Sequence, residues 1–317
     1  MTVLVTGAGL IATHAAISLI DRGEDVVLYD LAPDPSYIDL VLEGRKYALV
    51  KGDILDLANL MAVAKKYKIT GIVHTAAFLP RQAAANPSLA TQVNVVGAVN
   101  LFELHRLLKL KRTVFVSTVG IYDQDIIDGR PWTEDHRWGP HSYYGCTKLS
   151  AEMMGLHYAK DYGVDLVSVR FSPIFGIGQY YGSGGAVFVR DLVEPAALTG
   201  KAVVRDPFPN TYQYLYAPDA GEAVALAYKL KRNPKSRVFH ISEGRLRTAE
   251  EMLKIAKSAL PNADISITEK AWKASKNNNV FSEPFSLRTA KRVLGFKPAW
   301  TMKKAIQHYA EKARERG

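Results

Sequence analysis

The chain predicts an α/β fold, a doubly wound parallel sheet with a smaller, discontinuous C-terminal lobe that binds substrate. Three observations carry this expectation. Short apolar runs alternate with helical stretches through the first 170 residues. A glycine-rich loop follows the first of those runs. After Arg170 the alternation breaks into a segment rich in Gly, Pro and aromatic residues, then resumes for one strand–helix unit and one more strand.

The elements follow in order. Val3-Leu4-Val5 is a short buried strand, and a helix from about Leu10 to Arg22 follows it, ended by Gly23. Residues 25–30 (DVVLYD), 47–50, 71–74 (GIVH) and 113–117 (TVFVS) read as strands two to five, with a helix from about 88 to 110 between the last two. A helix over 143–161, capped by Ser142, leads to a strand over 164–170. Residues 214–219 and 218–230 form the resumed strand–helix unit, and 238–242 a further strand. From about Thr248 the chain is helical, with one short strand near Ile265. The dinucleotide-binding domain is therefore expected over 1–171 plus about 213–242, and the substrate lobe over about 172–212 plus 243–317. No solenoid-length repeat and no low-complexity linker interrupts this plan.

Composition narrows the function. With 317 residues, 48% of them hydrophobic and 23% charged, the chain is of ordinary globular make-up and can bury a large core. Its one cysteine, Cys146, allows no intrachain disulfide and points to the cytoplasm. Cys146 is expected to face helix packing rather than to act as a nucleophile. No apolar run reaches the roughly 18 residues of a membrane span, and a strand starting at residue 2 leaves no room for a cleavable signal. The net charge of +10 comes from dispersed Lys and Arg, densest in the C-terminal third, where helical spacing makes them a solvated face. Nucleic acid is not expected as a partner; attraction of an anionic substrate or dinucleotide is. The eight His are scattered without metal-ligand spacing, so no metal is expected, and His74 at a strand end is read as structural.

The cofactor end is legible in the string Thr6-Gly7-Ala8-Gly9-Leu10-Ile11-Ala12. Glycines let a backbone turn and approach a pyrophosphate, and the helix opening at Leu10 offers N–H groups and a partial positive charge. Ala12, in place of a third glycine, is small enough for helix–strand packing. Asp30 ends the second strand, 21 residues after Gly9, where a carboxylate accepts hydrogen bonds from an adenosine ribose. It would repel a 2′-phosphate by on the order of 4 kcal/mol per charge pair at about 4 Å. NAD is therefore favoured over NADP. Asp53, in Gly52-Asp53-Ile54, either reaches the adenine amine or caps a helix.

The catalytic end is Tyr144-Gly145-Cys146-Thr147-Lys148, with Ser117-Thr118 upstream. A tyrosine and a lysine four apart share one helix face. A nearby ammonium is expected to lower the phenol from its ordinary value of about 10 by two or three units. Tyr144 then exchanges a proton with a hydroxyl, Lys148 holds the nicotinamide ribose, and Thr118 bonds the reacting oxygen. Such a pair alone is common on helices. Thr118, the glycine loop and Asp30 together give it meaning.

These residues resemble the extended short-chain dehydrogenases/reductases, often called the NAD-dependent epimerase/dehydratase family, through nearly the whole chain. The resemblance is carried by residues 6–12, Asp30, Gly52-Asp53-Ile54, His74-Thr75-Ala76-Ala77, Asn94 in Asn94-Val95-Val96-Gly97, Ser117-Thr118 with Tyr122, 144–148, 170–176, Asp219 and Leu294-Gly295-Phe296-Lys297-Pro298. It implies a Rossmann-type fold and a cofactor site of Gly7, Gly9, Leu10, Ile11, Asp30, Asp53, Ile54, Ala76, Ala77, Asn94, Ser117, Tyr144, Lys148, Pro173 and Ile174. It also implies a homodimer paired through the helices at about 88–110 and 143–161.

The departures matter more. The glycine loop is one residue shorter than the family's usual TGxxGxxG. Val119-Gly120 stands where dehydratases carry Asp-Glu, which argues against dehydration. Pro173 stands where nucleotide-sugar epimerases carry Asn. Tyr212 stands where they place an Arg for the diphosphate, with Arg205 as a displaced substitute. The substrate is inferred to lack a nucleoside diphosphate. The loop over 123–141, containing Arg130, Trp132, Arg137 and Trp138, is expected to border it. Phe78, Arg81, Gln82, Thr118, Tyr143 and Tyr180 are further candidates for the substrate wall; for each, a packing or surface role is an equal alternative.

The sequence thus points to an NAD-dependent oxidoreductase interconverting a secondary alcohol and a ketone on a small polar substrate such as a sugar, sugar acid or hydroxy acid. The alternatives are an epimerase that retains its NAD and acts on a sugar or nucleotide sugar, and, less favoured, a non-catalytic dinucleotide-binding protein.

Overall fold

A computed structural model describes residues 1–178, 185–231 and 234–316. Its strands are β1 (Thr2–Thr6), β2 (Asp25–Asp30), β3 (Ala48–Lys51), β4 (Ile69–His74), β5 (Arg112–Thr118), β6 (Leu166–Phe171), β7 (Ile174–Phe175), β8 (Lys201–Val204), β9 (Thr211–Tyr212), β10 (Leu215–Tyr216), β11 (Val238–Ile241), β12 (Arg247–Thr248) and β13 (Asp264–Ile267). Seven of them form one sheet in the order β11-β6-β5-β4-β1-β2-β3, paired parallel throughout. The order reverses at β1, between β2 and β4. A crevice therefore opens beyond the C-terminal ends of β1 and β4.

The helices are α1 (Leu10–Ile20), α2 (Pro35–Leu42), α3 (Leu57–Lys66), α4 (Pro80–Ala85), α5 (Pro87–Thr91), α6 (Gly97–Leu108), α7 (Tyr143–Asp161), α8 (Gly185–Thr199), α9 (Ala217–Lys229), α10 (Ala249–Ala259), α11 (Glu269–Ser275) and α12 (Met302–Arg316). The apolar strands are buried on both faces, as parallel sheets require. Val3 and Val5 face α1 and α9 through Ala12, Ala16, Ala220 and Val224; Leu4 and Val27 face α3 and α6 through Leu60, Val63, Leu101 and Leu104. The first of these cores continues through α8, α10 and α12, reaching Ala313. Asp219 in the first turn of α9 accepts the Ala299 N–H at 2.8 Å, which ties the segment after Pro298 to that helix.

Several expected elements take a different form. The single helix expected over 88–110 is three pieces: α5, a π-helical turn over Gln92–Val96, and α6. The segment after Arg170 holds α8 and β8, which its Gly, Pro and aromatic content concealed; α8 carries Pro195 in its interior. Cys146, expected in packing, is exposed, because its two neighbours on α7, Gly145 and Thr147, take the inward positions.

Arg112, 1% exposed, anchors β5 to its surroundings. It donates to Asp165 at 2.7 Å and to the carbonyls of Ala227, Leu230 and Lys231 at the end of α9. Removing one member of a buried ionic group leaves an uncompensated charge. Arg112→Met is expected to lower stability by about 3 kcal/mol, read as a lower urea midpoint with unchanged m value.

Candidate active site

A cleft of about 1090 Å³ lies along the C-terminal edge of the sheet, where β1, β2, β4 and β5 end. It brings together Gly7, Gly9, Leu10, Ile11, Asp30, Asp53, Ile54, Ala76, Ala77, Ser117, Thr118, Tyr144, Pro173, Ile174 and Phe78. Residues spread over 170 positions thus meet at the crevice that the strand order creates.

The glycine loop shows why its residue types are needed. Gly7 has φ +86°, and a Cβ there would stand 2.7 Å from Thr75 Oγ1 and 3.1 Å from the Ala76 nitrogen. A Cβ at Gly9, the N-cap of α1, would meet nothing within 4 Å. The first backbone N–H groups of α1 therefore face the cleft with nothing built over them, which fits a pyrophosphate. The shortened loop is closed by Asp30: its Oδ2 accepts the Ala8 N–H and its Oδ1 the Ala32 N–H, both at 2.8 Å. Each oxygen keeps a lone pair for a ribose hydroxyl. Asp53 lines the cleft and accepts the Leu55 N–H at 2.9 Å in the turn ahead of α3. The helix itself is capped by Asp56, which accepts the Asn59 N–H, so Asp53 is not the cap. Ser117 Oγ and Ser172 Oγ are buried cleft-wall atoms without a hydrogen-bond partner. These features fit the dinucleotide that Asp30 predicts.

Tyr37 was not foreseen. It lines the cleft from α2, its hydroxyl 3.2 Å from Thr13 Oγ1 on α1 and donating to the Ile177 carbonyl at 3.1 Å.

At the other end, Thr118 Oγ1 accepts the Gly120 N–H at 3.1 Å, which leaves the hydroxyl proton to donate to a ligand. The start of α7 presses against this turn. A Cβ on Gly145 would sit 2.5 Å from the Gly120 carbonyl oxygen, so glycine lets Tyr144 approach Thr118. Ser142 caps α7 by accepting the Gly145 N–H at 3.0 Å. Lys148 lies behind the cleft wall, 2% exposed, its Nζ 4.2 Å from the centre of the Phe115 ring. Burial pushes the Tyr144 phenol up to about 12. Burial also brings the Lys148 ammonium down to about 7, with Glu152 opposing that fall. The expected lowering of the phenol by the ammonium is absent here: loss of hydration outweighs it, and the ammonium rests on Phe115. A protonated Tyr144 is the state from which a carbonyl reduction takes its proton.

Asn94 is buried outside the cleft wall. Its carboxamide accepts the Phe78 N–H at 2.7 Å and donates to the Phe78 carbonyl and to Thr147 Oγ1, both at 3.0 Å. It locks the Phe78 loop to α7, and the π-helical turn carries it there. Arg81 is exposed, and so is Tyr143, whose hydroxyl lies 2.8 Å from Thr91 Oγ1; neither lines the cleft. Tyr180 lies outside the described residues. From the 123–141 loop, Gln124 and His141 line the cleft, whereas Trp132 is core against Tyr122, Phe281 and Phe285, and Arg130, Arg137 and Trp138 are exposed. Gln82, Ala186, Tyr212 and Phe281 complete the substrate end. Phe281 had no local sequence signal; a bridge between Trp132 and Phe285 brings its segment in. His74 is structural, its Nδ1 2.7 Å from Thr6 Oγ1, and burial holds its imidazole well below the usual range.

The family model described as "NAD dependent epimerase/dehydratase family" matches residues 3–242. A UDP-glucose 4-epimerase of Lacticaseibacillus casei is 28% identical over 94% of this chain and 92% of its own. The structure of a UDP-glucose 4-epimerase from Stenotrophomonas maltophila superposes with a TM-score of 0.85 at 22% identity, covering 99% of this chain and 98% of that one. A monomeric L-threonine 3-dehydrogenase known from metagenome data gives 0.81 at 19%, covering 99% of each chain.

Asp30→Ala removes both the loop brace and a charged acceptor. It is expected to weaken NAD binding by at least tenfold in calorimetric titration, since hydrogen bonds to charged groups contribute about 1.5–3 kcal/mol.

Proposed function

The chain belongs to the NAD-dependent epimerase/dehydratase family and is an NAD-dependent enzyme of the extended short-chain type, and we propose that it interconverts a secondary alcohol and a ketone on a small polar substrate without a nucleoside diphosphate. One observation carries this reading: among the described residues, no Lys or Arg lines the cleft. A diphosphate buried without a cation is costly. Where an Arg would serve it, Tyr212 and Phe281 present aromatic rings 5.3 Å apart. The substrate lobe supplies Pro173, Ile174, Ala186, Tyr212 and Phe281 to this end, from its segments over about 172–212 and 243–317.

NAD, when bound, supplies the hydride acceptor. Tyr144 takes the alcohol proton during oxidation and returns it during reduction, Thr118 donates to the reacting oxygen, and Lys148 supports the phenol from behind. Pro173 and Ile174 bring apolar atoms to the cleft, which keeps water from the reacting carbon. Val119 and Gly120 offer no acid for water elimination. A homodimer paired through α6 and α7 is part of the same reading, since these helices expose Leu107 and Met154, with Tyr162 just beyond; sedimentation velocity tests it.

The second reading, an epimerase that keeps its NAD, is favoured by relatives that cover almost the whole chain and are named UDP-sugar epimerases. Under our reading, the protein changes absorbance at 340 nm with members of a panel of free sugars, sugar acids and hydroxy acids. UDP-glucose at millimolar concentration gives no calorimetric signal. Tight UDP-sugar binding, with inversion and no net redox, would establish the epimerase instead. Tyr144→Phe is expected to lower kcat by 10²–10⁴ with NADH binding retained; an unchanged kcat overturns the assigned proton shuttle.

A further inference from the structure

Glu152 takes no part in the chemistry above, yet its environment is built around the same helix face. Tyr144, Lys148 and Glu152 recur at intervals of four along α7, so they lie in one row. Glu152 is fully buried. Its carboxylate accepts Arg170 Nε at 3.0 Å, pairs with a second Arg170 nitrogen, and accepts Ser168 Oγ at 2.7 Å, both partners lying on β6. Arg170 in turn donates to the Glu134 carbonyl at 2.8 Å and to the Tyr122 hydroxyl, which contacts His240 on β11.

We propose that Glu152 is a positioning residue: clamped by Arg170 and Ser168, its carboxylate fixes the register of α7 on β6 and sustains the positive charge of Lys148 one turn away. The inference rests on the reading that Lys148, behind the cleft wall beside Tyr144, adds its charge to cofactor binding.

The groups that the described residues place around Lys148 fit this role. His74 on β4 is held neutral by burial, with the ammonium's own charge adding to that. Phe115 on β5 offers only a ring face. Tyr144, on the same helix, is held protonated by burial. Glu152 is the negative group that opposes the burial of the ammonium. Arg170 bonds the carboxylate from β6, whereas Glu152 shares a helix face with Lys148, and it is the Glu152 charge that acts on the ammonium. The pair also reaches the substrate end: the loop that starts at Tyr122 supplies Gln124 and His141 to the cleft wall.

The test is NADH binding to the full-length protein, followed by fluorescence from pH 6 to 10. Burial lowers the Lys148 value, so its positive charge is present below that value and lost as pH rises through it. Affinity is expected to fall over the same range, and Lys148→Met to remove that step. Glu152→Gln withdraws the opposing charge, so the step moves down by about one pH unit, while Glu152→Asp restores the wild-type midpoint. Where Glu152→Gln does not fold, the double variant Glu152→Gln/Arg170→Met removes the pair without stranding a charge and moves the step the same way. A purely structural Glu152 would weaken binding equally at every pH, and that result overturns the proposal. A wild-type profile without a Lys148-dependent step overturns the assignment of Lys148 and the proposal with it.

Discussion

The site depends on one helix that buries charge. On α7 the inward face carries Lys148 and Glu152 rather than an apolar stripe, and both side chains are at most 2% exposed. Burying isolated charges would cost several kcal/mol each, so the helix is stable only where the partners are supplied. Phe115 on β5 and Arg170 with Ser168 on β6 supply them. This requirement sets the register of α7 on the sheet. The register in turn sets where Tyr144 enters the cleft, with Gly145 allowing the last approach to Gly120.

The two ends of the cleft are made by different physics. The cofactor end is backbone: a left-handed glycine, the opening turn of α1 and a carboxylate that closes the loop. The substrate end is side chain: aromatic rings, two glutamines and a histidine, gathered from segments separated by some 200 residues. A common binding mode can be written in a short local string. A particular substrate cannot.

That difference decides what was legible in the sequence. The strands of the main sheet were visible because each is a compact apolar run. The bounds of β2 could be read from Asp25 and Asp30, and the start of α7 from the Ser142 cap. The helix α8 was hidden by its Pro195 and its glycine-rich approach. The π-helical turn leaves no mark on apolar periodicity, yet it carries Asn94 to the Phe78 loop instead of the cleft. Arg81 and Tyr143 were drawn in by their chain neighbours, but adjacent helical positions point about 100° apart. Only Gln82 and Tyr144 turn inward. Phe281 and Tyr37 arrive through tertiary contacts that no local pattern records.

The absence of Lys and Arg among the described lining residues also shapes how ligands arrive. The net charge of +10 is carried by residues outside that lining, so long-range pull on an anion belongs to the protein as a whole rather than to the cleft wall. An anionic dinucleotide would be met by oriented amides, whose pull fades within a turn of the helix. Capture and holding would then rest on different groups: the summed charge draws the dinucleotide in, and the amides keep it. Added salt, which erodes fields over about 10 Å, would slow the capture and leave the close contacts largely intact. Such a protein would gain its cofactor more slowly in salt and lose it at nearly the same rate.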